Sequence, residues 1–160
     1  MSDLMHHLRY NHWATGRVLE TVRPLSTEQF DRPLGGSYGS LRGTLTHIYQ
    51  GDRIWWDRLQ GKSSGLLSEY RPPEGFGAWE EEWLALLDRF VEWGQTTNWD
   101  RMVAYQDIKG NPHQNLVWEI LLHLVNHGSY HRGQVAHLLR QLDVTPASSD
   151  LIYYYRALPR

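Results

Sequence analysis

Apolar side chains recur at helical spacing along most of this chain, and one run of them has polar residues at its centre. Residues 123–142, HLVNHGSYHRGQVAHLLRQL, contain no proline, and their leucines and valines return every three or four positions. Val117, Leu121, Leu124, Gly128, His131, Val135, Leu138 and Leu142 alternate steps of four and three, the mark of a core-facing helical stripe. His131 falls within that stripe. At about 100° per residue, His127 lies roughly 40° to one side of His131 and His123 roughly 80° away, at the stripe's edge. His137 is further round. Side chains at i and i+4 stack on one face of a helix, so His127 and His131 can aim their rings at one point, a usual way for a helix to hold a transition metal. A lone inward histidine reads best as a hydrogen-bonded core residue; two of them one turn apart favour a metal.

The same periodicity predicts three further long helices. The first spans about residues 3–23, with Leu4, Leu8, Asn11, Val18 and Val22 on its inner stripe and Ser2 or Asp3 as its cap. Pro24 and the following Ser26-Thr27 mark its end. Residues 31–40, DRPLGGSYGS, read as a loop. Its glycines do not make a phosphate-binding loop, because no strand precedes them and no Gly-Lys-Ser/Thr follows. Ser40 is placed to cap the second helix, which runs to about Gln60, where Gly61 can terminate it. There Leu41, Leu45, Ile48, Asp52, Trp55 and Leu59 form the stripe, which leaves His47 at its side and puts Asp52 inward, where an arginine from another helix could pair with it.

Residues 62–77 form a loop, with Ser63-Ser64-Gly65 near one end and Pro72-Pro73 near the other. A third helix at about residues 78–95 turns Trp79, Trp83, Leu86, Leu87 and Phe90 inward. Glu80, Glu81 and Glu82 read as a solvated helix start, favoured by the helix dipole. The helical pattern then breaks. Residues 102–106 fit a short strand and Lys109-Gly110-Asn111-Pro112 a turn, which predicts a small hairpin before the fourth helix, residues 114–142. A short helical turn at residues 151–156 closes the pattern. Four amphipathic helices around one internal polar site predict an all-α four-helix bundle with a short β-hairpin between the third and fourth helices, in one domain spanning residues 1–160.

Composition narrows the function. A chain of 160 residues can bury one real core. With 41% hydrophobic and 21% charged residues and a net charge of −2, it has the make-up of a soluble domain and no electrostatic footprint for nucleic acid. No apolar run approaches a membrane span, and MSDLMHHLRYNHW lacks the long apolar core of a signal peptide. A cytoplasmic location is expected. The absence of cysteine removes disulfides, thiolate ligands and a cysteine nucleophile. Eight Trp and nine Tyr are a heavy aromatic load. It suits a pocket for an organic substrate, and Trp93, Trp99, Tyr153, Tyr154 and Tyr155 are candidates for a homodimer interface.

The metal chemistry is constrained by what is missing. No Glu has a His three residues later, so the di-iron bundle pattern fails; the His-Glu-x-x-His pattern of zinc proteases is absent as well. Bundles also host haem, but two histidines a turn apart on one helix suit a single small ion better than the two faces of a haem. A third ligand must come from another helix, and His47 and Asp52 are both candidates. His6, His7 and His12 lie on the first helix in no matching pattern and read as surface residues.

Three segments resemble one known family. YNHWATGRVLE, SLRGTLTHIYQGDRIWWDRLQG, and NHGSYHRGQVAHLLRQL with the later PASSDLIYYYR are similar to the DinB/YfiT-like superfamily of bacterial four-helix bundles. His-Arg-Gly-Gln after the second histidine of the pair is the most specific element. The resemblance implies a metal triad of His47, His127 and His131, and so selects His47 over Asp52; it also implies that the second helix is rotated, or its stripe broader, than the spacing suggests. His123 has no place in that triad. Zinc or nickel is the implied ion, with iron or manganese open. Known members of the superfamily include thiol-dependent S-transferases and an isomerase using a low-molecular-weight thiol, and the family often forms dimers. A metal-dependent enzyme acting on a small molecule with a small thiol or water is therefore expected, without nucleic-acid or membrane partners. The alternative is a non-catalytic metal- or ligand-binding bundle with a stress-response or interaction role.

Overall fold

In the computed structural model, which describes residues 2–62 and 69–159, four long helices close into a ring. They are α1 (Ser2–Val22), α3 (Leu41–Leu59), α4 (Phe76–Thr96) and α5 (Val117–Gln141). Two short helices, α2 (Thr27–Asp31) and α6 (Leu151–Ala157), and a hairpin of β1 (Met102–Gln106) and β2 (Pro112–Leu116) complete the chain. The helix α5 packs on α3 and α1, and α4 packs on α1 and α3. The expected all-α bundle with its hairpin is therefore what the chain forms. The side chains of the expected caps Ser2 and Asp3 are not described, and the Ser63-Ser64-Gly65 end of the expected loop lies outside the described residues.

The apolar stripes become the core. Every member of the α5 stripe from Val117 to Leu142 is buried, His131 included. On α4, Trp79 and Trp83 stack at 5.9 Å, and Leu86, Leu87 and Phe90 continue the same buried face. Ser40 caps α3 by accepting from the Gly43 amide at 3.1 Å. The α3 stripe is broader than the simple spacing implies. Thr44, Tyr49, Gly51, Ile54 and Arg58 are buried beside Leu41, Leu45, Ile48, Asp52 and Leu59, whereas Trp55 is half-buried.

Several expectations need correction. Ser26 and Thr27 do not merely end the first helix; they start α2, through a capping box in which Ser26 accepts from the Gln29 amide and Gln29 from the Ser26 amide. Five residues are too few to display a period. The glutamates of α4 are not all solvated: Glu80 is buried under a two-pronged bond from Arg23, at 2.7 and 3.0 Å, and Glu82 accepts from Tyr49. Trp99 and Tyr154 belong to the core, while Tyr153 and Tyr155 are exposed. The Trp99 indole donates to the Gly94 carbonyl at 2.9 Å, which draws the chain after α4 back under the bundle.

The hairpin pairs Met102 with Leu116 and Gln106 with Pro112, so residues 114–116 are strand rather than helix. Its turn is built on Asp107, whose carboxylate accepts from the Lys109 and Asn111 amides, and on Gly110, in the left-handed region at φ +84°. Arg58 donates to the Gln106 carbonyl and Arg101 to the Leu59 carbonyl. These bonds tie the hairpin to the end of α3.

Polar groups also enter the core. Arg132 is buried, with its guanidinium donating to Asn11 at 2.7 Å, Thr15 at 3.3 Å and Ser129 at 3.1 Å. Asp52 is buried and accepts from the Trp83 indole at 2.8 Å. The inward position expected for Asp52 is correct; its hydrogen-bond partner is a tryptophan, with Arg132 acting on it only through space. Burial pushes the Asp52 carboxyl up to about 7, against the opposing effects of Trp83 and Arg132. Because the folded pKa is raised, the neutral form favours folding. That contribution is complete below the unfolded value, about 4, and is lost as pH rises through 7. Asp52→Asn keeps an acceptor for Trp83 and cannot ionise. Its stability relative to the parent should therefore increase between about pH 4 and about pH 7 and level off above that, measured by urea unfolding of chelator-treated protein. Parallel pH profiles for the two proteins would contradict this.

Candidate metal centre

The three expected residues converge. His47 comes from the middle of α3, and His127 and His131 come from successive turns of α5. One ring nitrogen from each lies within 4.8 Å of the others. Nε2 of His47 and Nε2 of His127 stand 3.0 Å apart. Two nitrogens bound tetrahedrally to one zinc ion at about 2.0–2.1 Å are about 3.4 Å apart, so a small opening of this pair would admit an ion. His131 is buried and the other two are half-buried.

The protonation states suit ligation. Burial, with the neighbouring His131, holds the His47 imidazolium down to about 4. Burial, the other histidines and Arg132 hold that of His127 down to about 3. Both rings are thus neutral near pH 7 and offer lone pairs. His131 is oriented by Gln134, whose amide oxygen lies 2.8 Å from Nδ1. The oxygen accepts, so Nδ1 carries the proton and Nε2 is left as the donor to an ion. A hydrogen bond of this kind behind a ligand fixes its tautomer and ring plane. Three imidazoles fit a divalent transition ion, and the donor set does so without Asp52.

Small and aromatic residues hold the rings in place. A Cβ on Gly51, one turn after His47, would stand 3.0 Å from Cε1 of His127. Its absence is the space that His127 occupies. The loop before α3 returns over the site, and Tyr38 stacks on His47 at 4.1 Å and forms a T-shaped pair with His131 at 5.5 Å. Gly39 turns in the left-handed region, and a Cβ on Gly43 would overlap the Tyr38 carbonyl, so this return needs both glycines. Tyr130 sits edge-on to His131 at 5.0 Å. His123 lies 5.7 Å from His127 with Trp55 against it, outside the converging set. His137 points away and bonds to Gln141. His12 pairs with Asp88, and neither it nor His6 or His7 joins the cluster.

Sequence reasoning missed Gln134, Gly51 and Tyr38. The signal for Gln134 was present in His-Arg-Gly-Gln, since i+3 faces i on a helix. Gly51 is the residue one turn beyond His47, where a small side chain would be needed for close helix approach. Tyr38 had no local signal, because its position depends on how the loop returns.

The comparisons with known proteins agree with this architecture. The model of the DinB family matches residues 1–158. The chain belongs to the DinB family. Protein DinB of Bacillus subtilis (strain 168) is 27% identical over 163 residues, covering 96% of this chain and 95% of that protein. The crystal structure of a DinB-like protein from Bacillus cereus ATCC 10987 superposes with a TM-score of 0.70 at 20% identity, over 92% of this chain and 96% of that one. That likeness concerns the fold. In this DinB-family chain a larger cleft of about 570 Å³ lies elsewhere, between Lys62 and the hairpin residues Tyr105 and His113, and none of the three histidines lines it.

Gly51→Ala tests the geometry. The added methyl must displace the His127 ring by a few tenths of an ångström. Zinc affinity, read by competition with a chromophoric chelator, should fall roughly tenfold, the low end of what disturbing a ligand's support costs. Unchanged affinity would show that His127 does not depend on this contact.

Proposed function

We propose that this DinB-family protein is a metal-dependent enzyme in which His47, His127 and His131 hold one divalent ion, and a small thiol or water attacks a small organic substrate. The observation that carries the reading is the convergence of three imidazoles, one of them oriented by Gln134. Three protein ligands leave positions for water or substrate, as in catalytic zinc sites. A bound ion of this kind lowers the pKa of a water or thiol, or polarises a carbonyl. The protein's part is to orient. Gln134 holds the His131 tautomer, Gly51 admits His127, and the Tyr38 ring both steadies His47 and covers one side of the site against solvent. Zinc and nickel suit the donor set best; iron and manganese also accept imidazole, and supply in the cell decides among them.

A specific observation favours the second reading, a non-catalytic holder of a metal or ligand. The hydrogen bonds of the three rings run to one another and to Gln134, and among the described residues no carboxylate joins them. An enzyme of this design must take its proton acceptor from the substrate, from the thiol or from solvent.

Elemental analysis of purified protein beside His47→Ala, His127→Ala and His131→Ala decides the site. About one equivalent of metal in the parent and in His137→Ala should drop at least tenfold in each triad variant, since each loss removes one of three protein ligands. Unchanged metal content in all three would return these histidines to a hydrogen-bonded core. A panel of low-molecular-weight thiols with electrophilic substrates then separates the readings. Metal-dependent, saturable turnover supports the enzyme, and metal-dependent thermal stabilisation without turnover supports the holder.

We propose a homodimer in addition, because Ile152, Tyr153 and Tyr155 leave apolar and aromatic surface exposed on α6. Light scattering at micromolar concentration should give twice the mass of the chain, 18.8 kDa; a value near that of one chain would refute it.

A further inference from the structure

We infer that the groove beside the triad seats an uncharged, mainly apolar group of the substrate, such as an aromatic ring or a short branched chain. This rests on the reading of the triad as the reaction centre. The groove, about 330 Å³, runs between the glycine loop at Gly35 and Gly36 and the outer side of α5 at Tyr130, Gly133, His137 and Leu138. It shares its wall with the triad. Gln134 lines it while bonding His131, and Tyr130 lines it while lying 5.0 Å from the His131 ring. None of the three histidines lines the groove itself; a group seated here would lie against Gln134 and Tyr130, behind the Nδ1 edge of His131.

The lining carries the chemistry. No Asp, Glu, Lys or Arg contributes to it, its polar side-chain atoms coming from Ser37, Thr44, Tyr130, Gln134 and His137, so a charged group would lose hydration there without gaining a carboxylate, lysine or arginine in exchange. Its size is about twice the roughly 150 Å³ that accepts benzene in an engineered cavity, enough for a ring with a few further atoms. Tyr130 is 65% exposed and presents an aromatic face to whatever enters. Gly133 supplies an independent observation. A glycine inside a helix costs about 1 kcal/mol relative to alanine, and such glycines usually admit a close neighbour. Here an added Cβ would meet nothing within 4 Å. Gly133 is exposed and lines the groove, so a larger side chain there would extend over the groove mouth, and the protein's own packing does not account for this glycine.

The test is a ¹H–¹⁵N NMR titration of the full chain, chelator-treated, with benzyl alcohol, benzoate and benzylamine as probes of one shape and three charges. Benzyl alcohol should move the amide signals of Gly35, Gly36, Tyr130 and Gly133, with half-saturation at least about tenfold below that of either charged probe, because only it avoids unpaired desolvation. Gly133→Leu, whose side chain enters open space, should fold as the parent does, keep its zinc uptake and lose benzyl alcohol binding. His127→Ala should keep that binding. Equal binding of the three probes, or undiminished binding to Gly133→Leu, overturns the inference. Zinc uptake without groove binding overturns the groove alone. Groove binding in a protein that takes up no zinc overturns the triad reading, and with it the groove's part in any reaction.

Discussion

The close approach of α3 to α5 is the constraint on which the site depends. The triad is divided between these two helices, so their separation and register decide whether three nitrogens meet. At the crossing, Gly51 of α3 faces His127 of α5 with no room for a methyl group between them. The same glycine lies one turn from His47, and one face of α3 therefore supplies both a histidine of the triad and the gap for its partner. Core apolar packing brings the helices together, but leucines alone would hold them at any of several rotations. The missing side chain at Gly51 makes one arrangement closer than the rest.

Rotation of α5 is set from its other side. Arg132 follows His131 directly and points about 100° away from it, into bonds with Asn11 and Thr15 of α1. Gly128 leaves the room: a Cβ there would crowd both the guanidinium and the Asn11 amide oxygen. A buried cation is costly even when hydrogen-bonded, and apolar residues of similar volume would serve stability as well or better. What the arrangement supplies is direction. With Arg132 committed to α1, His131 is committed to α3 and Gln134. The polar member of the α1 stripe, Asn11, is explained by this bond rather than by any ligand.

Much of this was legible because the relevant residues follow one period. The α5 stripe placed His131 inward and His127 beside it without reference to any relative, and the buried face of α4 could be read from its aromatic spacing alone. His47 was harder. Counting by fours and threes through Leu41, Leu45 and Ile48 put it at the margin, because that count treats Thr44, Tyr49 and Gly51 as polar, aromatic or neutral filler when they are buried. The resemblance to a known family was needed to choose it over Asp52. What remained hidden shares one property: it depends on chain return rather than on local pattern. Tyr38 reaches His47 through a loop, Trp99 turns back under the bundle, and Glu80 is covered by an arginine from α1. No period within a single element encodes such meetings.

The electrostatics of the site argue for what it would prefer beside an ion. Three neutral imidazoles cancel none of a divalent ion's charge, and in a partly desolvated site that charge is poorly screened. Arg132 adds to it, since its field already opposes protonation of His127. Asp52 is the buried carboxylate that could offset it, yet its burial raises the carboxyl to about 7, so near neutrality much of it stays uncharged. With an ion bound, a site with this balance would favour an anion over a neutral ligand. Hydroxide and thiolate both qualify, each formed by loss of a proton that the positive site makes easier to remove. The same balance discriminates against a second cation nearby. With an ion bound, the electrostatics would select its further ligand by charge and leave that ligand's molecular identity to the shape of the surrounding walls.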